Sequence, residues 1–175
     1  MIFYHFSEEK NQVLLKRIFY CKNLEDINKK VKKINNDHLK QPSTLQEQEI
    51  LLKLNNLIDS YFSGVNIDLL DAIKQINVSY DLKELFPTEF SQKVMKILSK
   101  TKFGERITYS EIGEKINSRA YQAIGNVLKN NPLPLIFPCH RVIRKDGKIG
   151  GFMGITKKSW ETDLKKKLLN LERSP

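Results

Sequence analysis

The stretch Asn131-Pro132-Leu133-Pro134-Leu135-Ile136-Phe137-Pro138-Cys139-His140-Arg141-Val142-Ile143 decides how this chain is built. Proline fixes φ and has no amide hydrogen to give. Three prolines around an apolar run therefore exclude a helix and argue against a central strand. What remains is a constrained apolar loop that delivers Cys139 and His140. A buried cysteine is ordinarily an inert packing residue. Here the thiol abuts a histidine and Arg141, with Arg144 and Lys145 close behind. Those neighbours favour the thiolate, which is the nucleophilic form. Zinc ligation is the poorer reading, because no second nearby cysteine and no histidine cluster completes a site.

Downstream, Lys148-Ile149-Gly150-Gly151-Phe152-Met153-Gly154 is a glycine-rich loop whose backbone can approach a ligand closely. A phosphate loop is discounted, since no Gly-Lys-Ser/Thr follows. The tail from Leu164 to Leu171 reads as a Lys-rich amphipathic helix with Leu164, Leu168 and Leu171 inward and Glu172 at its end. Upstream, Thr88 caps an expected helix through Lys100, with Phe90, Val94, Ile97 and Leu98 on one face. Lys102-Phe103-Gly104 ends it, and Ile107-Thr108 is a short extended piece. Thr108-Tyr109-Ser110-Glu111 is a capping box that opens a helix to about Ile116. A turn at Asn117-Ser118 leads into another helix, Arg119 to about Lys129, with Ser118 as its cap. Two short helices around a tight turn are a helix-turn-helix candidate, although many helical hairpins only pack.

The first half reads as a small α/β unit. Residues 2–7 and 12–21 form two strands around the polar turn Glu8-Glu9-Lys10-Asn11. Leu24 to Ile34 has helical spacing behind an Asn23 N-cap. Thr44-Leu45-Gln46-Glu47 opens an amphipathic helix to about Phe62, stopped by Gly64. The spacing of His5, Cys21 and His38 fits no metal site, so all three are assigned structural roles, and no clustered catalytic set falls in residues 1–80.

Composition sharpens the division. The 175 residues carry a formal net charge of +10, with 40% hydrophobic and 29% charged residues, which excludes wholesale disorder and a fibrous protein. Residues 1–85 hold 12 Lys/Arg and 12 Asp/Glu, whereas residues 86–175 hold 18 and 8, so the entire excess lies in the second half. An anionic partner for that half, nucleic acid first, and a merely Lys-rich solvated surface both fit. Two cysteines make no disulfide framework, the N-terminus lacks a signal-peptide pattern, and the apolar runs are too short for a membrane span. The expected location is cytoplasmic.

Taken together, these pieces resemble the O6-alkylguanine-DNA alkyltransferases, also called methylated-DNA–protein-cysteine methyltransferases. The resemblance is strongest over residues 88–154, and Asn-Pro-x-Pro-x-x-x-Pro-Cys-His-Arg-Val at 131–142 is its core. Phe90 with Lys93-Val94, Thr108-Tyr109 and Gly150-Gly151-Phe152 stand in the expected order, and Tyr61-Phe62-Ser63-Gly64 extends the likeness loosely into the first half. The family fold implies an α/β N-terminal domain (1–80, a small sheet plus helices) and a linker (81–87). A mostly α-helical C-terminal domain (88–175) would then hold the helix-turn-helix and the active-site Cys loop.

The resemblance also implies roles. Cys139 is the acceptor that attacks the alkyl carbon on guanine O6, once per protein. His140 is a base acting through a water, and Glu172 orients the imidazole. The thiol cannot reach a base inside the duplex, so the lesion must flip out. Tyr109 then donates to the flipped guanine and crowds the adjacent phosphate. The backbone carbonyls of Cys139 and Val142 read its amino group, the Met153 amide faces O6, and Phe152 and Gly154 complete the substrate site. Asn131 braces the turn before the Cys loop. Arg119, Ala120, Tyr121, Gln122, Ala123 and Arg141 are the expected DNA contacts, with the helix from Arg119 in the minor groove. The implied partner is double-stranded DNA containing O6-alkylguanine, with no cofactor, metal or membrane. The protein is expected to be a monomer, with cooperativity on DNA left open.

Three departures stand out. Gln122 occupies the position where the family usually places an arginine that fills the gap left by the flipped base. Tyr121 or Arg119 is a possible substitute. Met153 stands where serine is common. The segment from Gly154 to Leu164 is about six residues longer than expected, so Glu172 is placed by the Leu168-Leu169-x-x-Glu172 pattern. Three alternatives are less complete. Alkyltransferase-like proteins bind the lesion but lack the cysteine. A helix-turn-helix regulator leaves the loop unexplained. A Cys-His hydrolase would need adjacent side chains that point apart in an extended loop.

Overall fold

The computed structural model describes residues 2–7, 11–32, 42 and 44–173. Turn residues Glu8, Glu9 and Lys10, the expected helix end at Ile34, His38 and the His5 side chain lie outside that description.

β1 (Ile2–Ser7) and β2 (Gln12–Ile18) pair antiparallel with Ser7 opposite Gln12, and β3 (Val78–Ser79) joins β2 in parallel through Val13 and Leu14. Val13 and Leu15 alternate inward as a half-buried strand requires. β2 stops three residues short of the expected Cys21. The reason is a change of partner: the Ile18 amide donates to the Pro132 carbonyl at 2.8 Å, so the strand gives way to the Cys loop.

α1 (Leu24–Lys32) is capped by Asn23, whose Oδ1 accepts from the Asp26 amide at 2.9 Å. α2 (Leu45–Phe62) begins as expected, with Thr44 Oγ1 accepting from the Glu47 amide, and places Ile50, Leu54 and Tyr61 in the interior. Gly64, at φ +85°, turns the chain out of it through the left-handed region. α3 (Leu69–Lys74) leads to β3, and α4 (Leu82–Leu85) is a single turn capped by Asp81 within the expected linker.

α5 (Glu89–Leu98) carries a reciprocal capping box between Thr88 and Ser91 and buries Val94, Met95 and Leu98. β4 (Ile107–Thr108) pairs in parallel with β5 (Val142–Ile143), which ties the start of the next helix to the exit of the Cys loop. α6 (Tyr109–Lys115) has the expected box between Thr108 and Glu111. α7 (Tyr121–Lys129) starts later than expected: its N-cap position is Ala120, and Ser118 instead accepts from the Ala120 amide at 3.2 Å within the turn. Gly113 is obligatory there, because a Cβ would sit 2.5 Å from the Ser118 carbonyl and 2.8 Å from the Tyr121 ring.

α8 (Trp160–Leu171) starts four residues before the expected Leu164 because Ser159 and Thr162 form a reciprocal cap. Its interior residues are Lys165, Leu168 and Leu169, whereas Leu164 and Leu171 are half-buried. One continuous apolar core joins both halves of the chain, from Leu15, Leu54 and Ile73 to Leu98, Ile124 and Phe137. Helices dominate, and the two sheets are small. Among the described residues, no helix is long and apolar enough to cross a membrane.

Candidate active site

Prolines shape the Cys loop, and Asn131 staples it. The Asn131 amide nitrogen donates to the Phe137 carbonyl at 2.7 Å while its oxygen accepts from the Leu133 amide at 3.1 Å. Leu133, Leu135, Ile136 and Phe137 are buried, and Phe137 meets the edges of Tyr80 and Phe86 at 5.2 and 5.4 Å. Leu135 sits at φ +79°, a conformation side chains resist, so the surrounding packing must impose it. The loop ends in a single 3-10 turn, Cys139–Arg141, rather than the expected extended segment. Cys139 lines a cavity on one side of the turn, while His140 joins a buried cluster on the other.

That cluster is closed and charged. His140 Nε2 lies 3.0 Å from Glu172 Oε1, with side-chain exposures of 0% and 2%. The Arg141 guanidinium grips the same carboxylate through Nε, 3.0 Å from both oxygens, and through Nη2 at 2.7 Å. Its Nη1 donates to the Thr101 carbonyl at 2.5 Å. Two expectations for Arg141 are thereby corrected. It is not a DNA contact, because its donors are committed to Glu172 and Thr101 in the interior. Nor is it a cation supporting the thiolate, because it serves the carboxylate. Glu172, at the end of α8, is thus brought against His140. Burial works to raise the Glu172 pKa, but hydrogen bonds and charge from His140 and Arg141 outweigh it and hold the carboxyl at about 2. A carboxylate ionised at neutral pH needs a hydrogen on Nε2, so the neutral imidazole leaves Nδ1 as its basic nitrogen. Nδ1 is buried and has no hydrogen-bond partner among the described residues. Burial, aided by the Arg141 and Lys165 charges, lowers the His140 pKa against the pull of Glu172.

The resting state of Cys139 also differs from expectation. Burial pushes the thiol pKa up, against opposing contributions from the Asn131 amide, the Lys165 charge and the turn's own amides. Lys165, which the sequence reading leaves among outward-facing lysines, is fully buried. Its Nζ donates to the Val142 carbonyl at 2.7 Å and the Gly151 carbonyl at 3.0 Å, and burial lowers its pKa to about 8. The Val142 carbonyl therefore already holds one hydrogen bond and retains a second lone pair.

On the open side, a cavity of about 340 Å³ is lined by Tyr109, Cys139, Phe152, Met153, Gly154 and Gln122, all of them expected site residues. Burial and the nearby Cys139 raise the Tyr109 pKa and keep its hydroxyl a donor. Phe152 and Ile155 exchange both backbone hydrogen bonds at 2.9 Å, so Met153 and Gly154, at φ +51° and +84°, form the tip of a tight turn. Gly154 is favoured by its φ of +84°, which side chains resist, and a Cβ there would also push aside the Lys129 stem, 2.6 Å away. Arg119, Ala120, Tyr121 and Ala123 line no part of this cavity, and Arg119, Ala120 and Tyr121 are exposed at the start of α7.

Sequence reading missed further contributors. Lys129 and Asn126 line the cavity from α7, where the helical repeat from Gln122 already puts Asn126 on the same face. Tyr61, from α2, sets its hydroxyl 2.7 Å from Glu172 Oε1 and 3.2 Å from His140 Nε2.

Residues 89–174 match the family described as 6-O-methylguanine DNA methyltransferase, DNA binding domain. A methylated-DNA–protein-cysteine methyltransferase of Methanocaldococcus jannaschii is 38% identical over 129 residues, covering 74% of this chain and 65% of that protein, so the chain spans just under two thirds of that relative. A protein of the same name from Methanosarcina mazei is 35% identical over 133 residues, covering 74% of this chain and 73% of the relative. The crystal structure of Mycobacterium tuberculosis OGT in complex with DNA aligns at a TM-score of 0.56 with 32% identity, over 69% of this chain and 65% of that one.

Proposed function

The chain belongs to the 6-O-methylguanine DNA methyltransferase family, and from that membership we propose that it repairs O6-alkylguanine in duplex DNA by irreversible transfer of the alkyl group to Cys139. One observation carries the reading: Cys139 lines an open cavity while the residue after it, His140, is locked to Glu172 behind the same turn. A cavity of about 340 Å³ lies within the range of roughly 300–1,000 Å³ usual for small-ligand sites.

Cys139 rests as a thiol, so its proton must leave before or during attack. That proton passes through a water to His140 Nδ1, and the imidazolium formed is stabilised by Glu172. The sulfur lone pair then forms the S–C bond as the C–O6 bond breaks, and its electrons return to the guanine. Tyr109 supports the departing base by donating its hydroxyl hydrogen. The thioether is stable and no group here regenerates the thiol, so each chain acts once. The base must be extrahelical to reach Cys139. The exposed start of α7, with Arg119, Ala120, Tyr121 and Gln122, is the surface suited to the minor groove, and α6 with α7 serves as the helix-turn-helix. Residues 1–80 form the N-terminal unit and 88–175 the DNA-facing one, joined through 81–87.

An oligonucleotide carrying labelled O6-methylguanine tests this. Label should appear on the protein with a yield approaching one per chain and be absent from Cys139→Ser. Transfer to Cys139→Ser would overturn the assignment of the nucleophile, and several turnovers per chain would overturn the single-use mechanism.

A further inference from the structure

Four side chains meet behind Cys139, and one of them comes from the neutral first half of the chain. Tyr61 is 79 residues from His140 and 111 from Glu172, yet its hydroxyl touches both. A phenol has one hydrogen to give and two lone pairs. Glu172, held ionised by Arg141, can only accept, so the Tyr61 hydrogen goes to Oε1 at 2.7 Å. Its oxygen then faces His140 Nε2 with lone pairs at 3.2 Å, beside the carboxylate at 3.0 Å. Both neighbours of Nε2 are acceptors.

We infer that Tyr61 is a positioning residue for the alkyl transfer proposed above: its hydroxyl fixes carboxylate and imidazole together so that the hydrogen stays on Nε2 and the buried, otherwise unpartnered Nδ1 remains the acceptor. This rests on the alkyltransferase reading. Without Tyr61, the imidazole can flip or exchange tautomers against a carboxylate with a free lone pair. Burial, then the Glu172 charge, raises the Tyr61 pKa, so the hydroxyl stays a donor throughout the working pH range. The ring is anchored apart from its hydroxyl, against the edges of Phe62 and Phe103 at 5.5 and 5.9 Å.

Tyr61→Phe keeps that packing and removes only the oxygen. The charged groups facing His140 are Glu172, Arg141 and Lys165. Losing one donor leaves the Glu172 charge less quenched, so the imidazolium is favoured. The acid limb of the transfer rate should therefore move to higher pH. The rate at neutral pH should fall roughly 10-fold, part of the 10²–10⁴ that a general base supplies. Label yield per chain and DNA affinity should not change. Nitrogen-detected NMR of the imidazole in the unaltered protein gives a second readout, with the hydrogen expected on Nε2. An unchanged rate and pH profile in Tyr61→Phe, or a hydrogen on Nδ1 in the unaltered protein, overturns the inference. Failure of the unaltered protein to transfer label would instead refute the alkyltransferase reading, and the tautomer would still decide the role of Tyr61.

Discussion

The turn Cys139–Arg141 separates two walls built on opposite principles. Behind it, His140, Arg141, Lys165, Glu172 and Tyr61 are all buried, and each charge has a committed partner. In front of it, Tyr109, Gln122, Asn126 and Lys129 border an open cavity. The sealed wall can hold one proton arrangement without reorganising, which is what stabilising a developing charge requires. The open wall keeps donors for a ligand. Their common member is the thiol, which burial keeps protonated; in the proposed transfer the sealed wall takes its hydrogen. The comparison makes an unequal demand on substitutions: damage to the sealed wall should cost stability, and damage to the open wall should cost transfer alone.

The largest effect should come from splitting the buried ion pair. Arg141→Met leaves the Glu172 charge in the interior with one fewer cation, and removing one partner of such a pair costs about 3–5 kcal/mol. Urea unfolding should show that loss. The double change Arg141→Met with Glu172→Leu should regain most of the stability while transfer stays crippled, because His140 has lost its orienting carboxylate. If the double variant recovers transfer as well, the sealed wall is only packing.

A smaller, graded effect should follow pH. The Glu172 carboxyl is held at about 2 against an ordinary value of 4.5. Between those values the unfolded chain binds the proton and the folded one does not, so stability falls as pH falls through that window. The loss is on the order of 3 kcal/mol, complete only below the folded value. Exposed carboxylates such as Asp71 and Asp146 are also lowered and add to the slope. Glu172→Gln should therefore flatten the curve in part, and an unchanged slope would place the acid sensitivity elsewhere.

Which parts of both walls could be read in advance follows from the range of the interactions. The capping boxes at Thr88 and Thr108 are bonds three residues apart, and the proline-bracketed loop is dictated by φ alone, so local sequence contains them. The sealed wall is assembled across distance. Arg141 stands two residues from Cys139, which suggested a partner for sulfur, yet it turns to a carboxylate 31 residues on. Tyr61 carries no mark of its role, because its partners lie across the fold. Lys165 is an intermediate case. Lys165-Lys166-Lys167 looks like a uniformly solvated run, but Lys165, Leu168 and Leu169 share the i, i+3, i+4 stripe of a helix, and that stripe faces inward. β2 ends at Ile18 rather than Cys21 because the chain leaves the sheet to bond Pro132, a partner no local pattern announces.

The smallest effect should come from Gln122, and it tests the open wall most directly. Gln122 is exposed and borders the cavity, so Gln122→Ala should leave stability within about 0.5 kcal/mol. If its amide fills the gap left by a flipped base, its contribution is one neutral hydrogen bond, about 0.5–1.5 kcal/mol. Transfer from duplex should then slow by roughly 2- to 10-fold while reaction with the free alkylated base does not change. Tyr121 is the weaker candidate, because its ring already lies over Gly113; Tyr121→Ala should register first as lost helix packing. Arg119→Ala should weaken duplex binding and reduce its salt dependence without touching the free-base reaction. Gln122→Arg should do the reverse, raising duplex affinity and steepening its fall with salt by about one phosphate contact. Equal losses on duplex and free base for Gln122→Ala would mean that the residue shapes the cavity itself, and the gap would then have to be filled from Arg119.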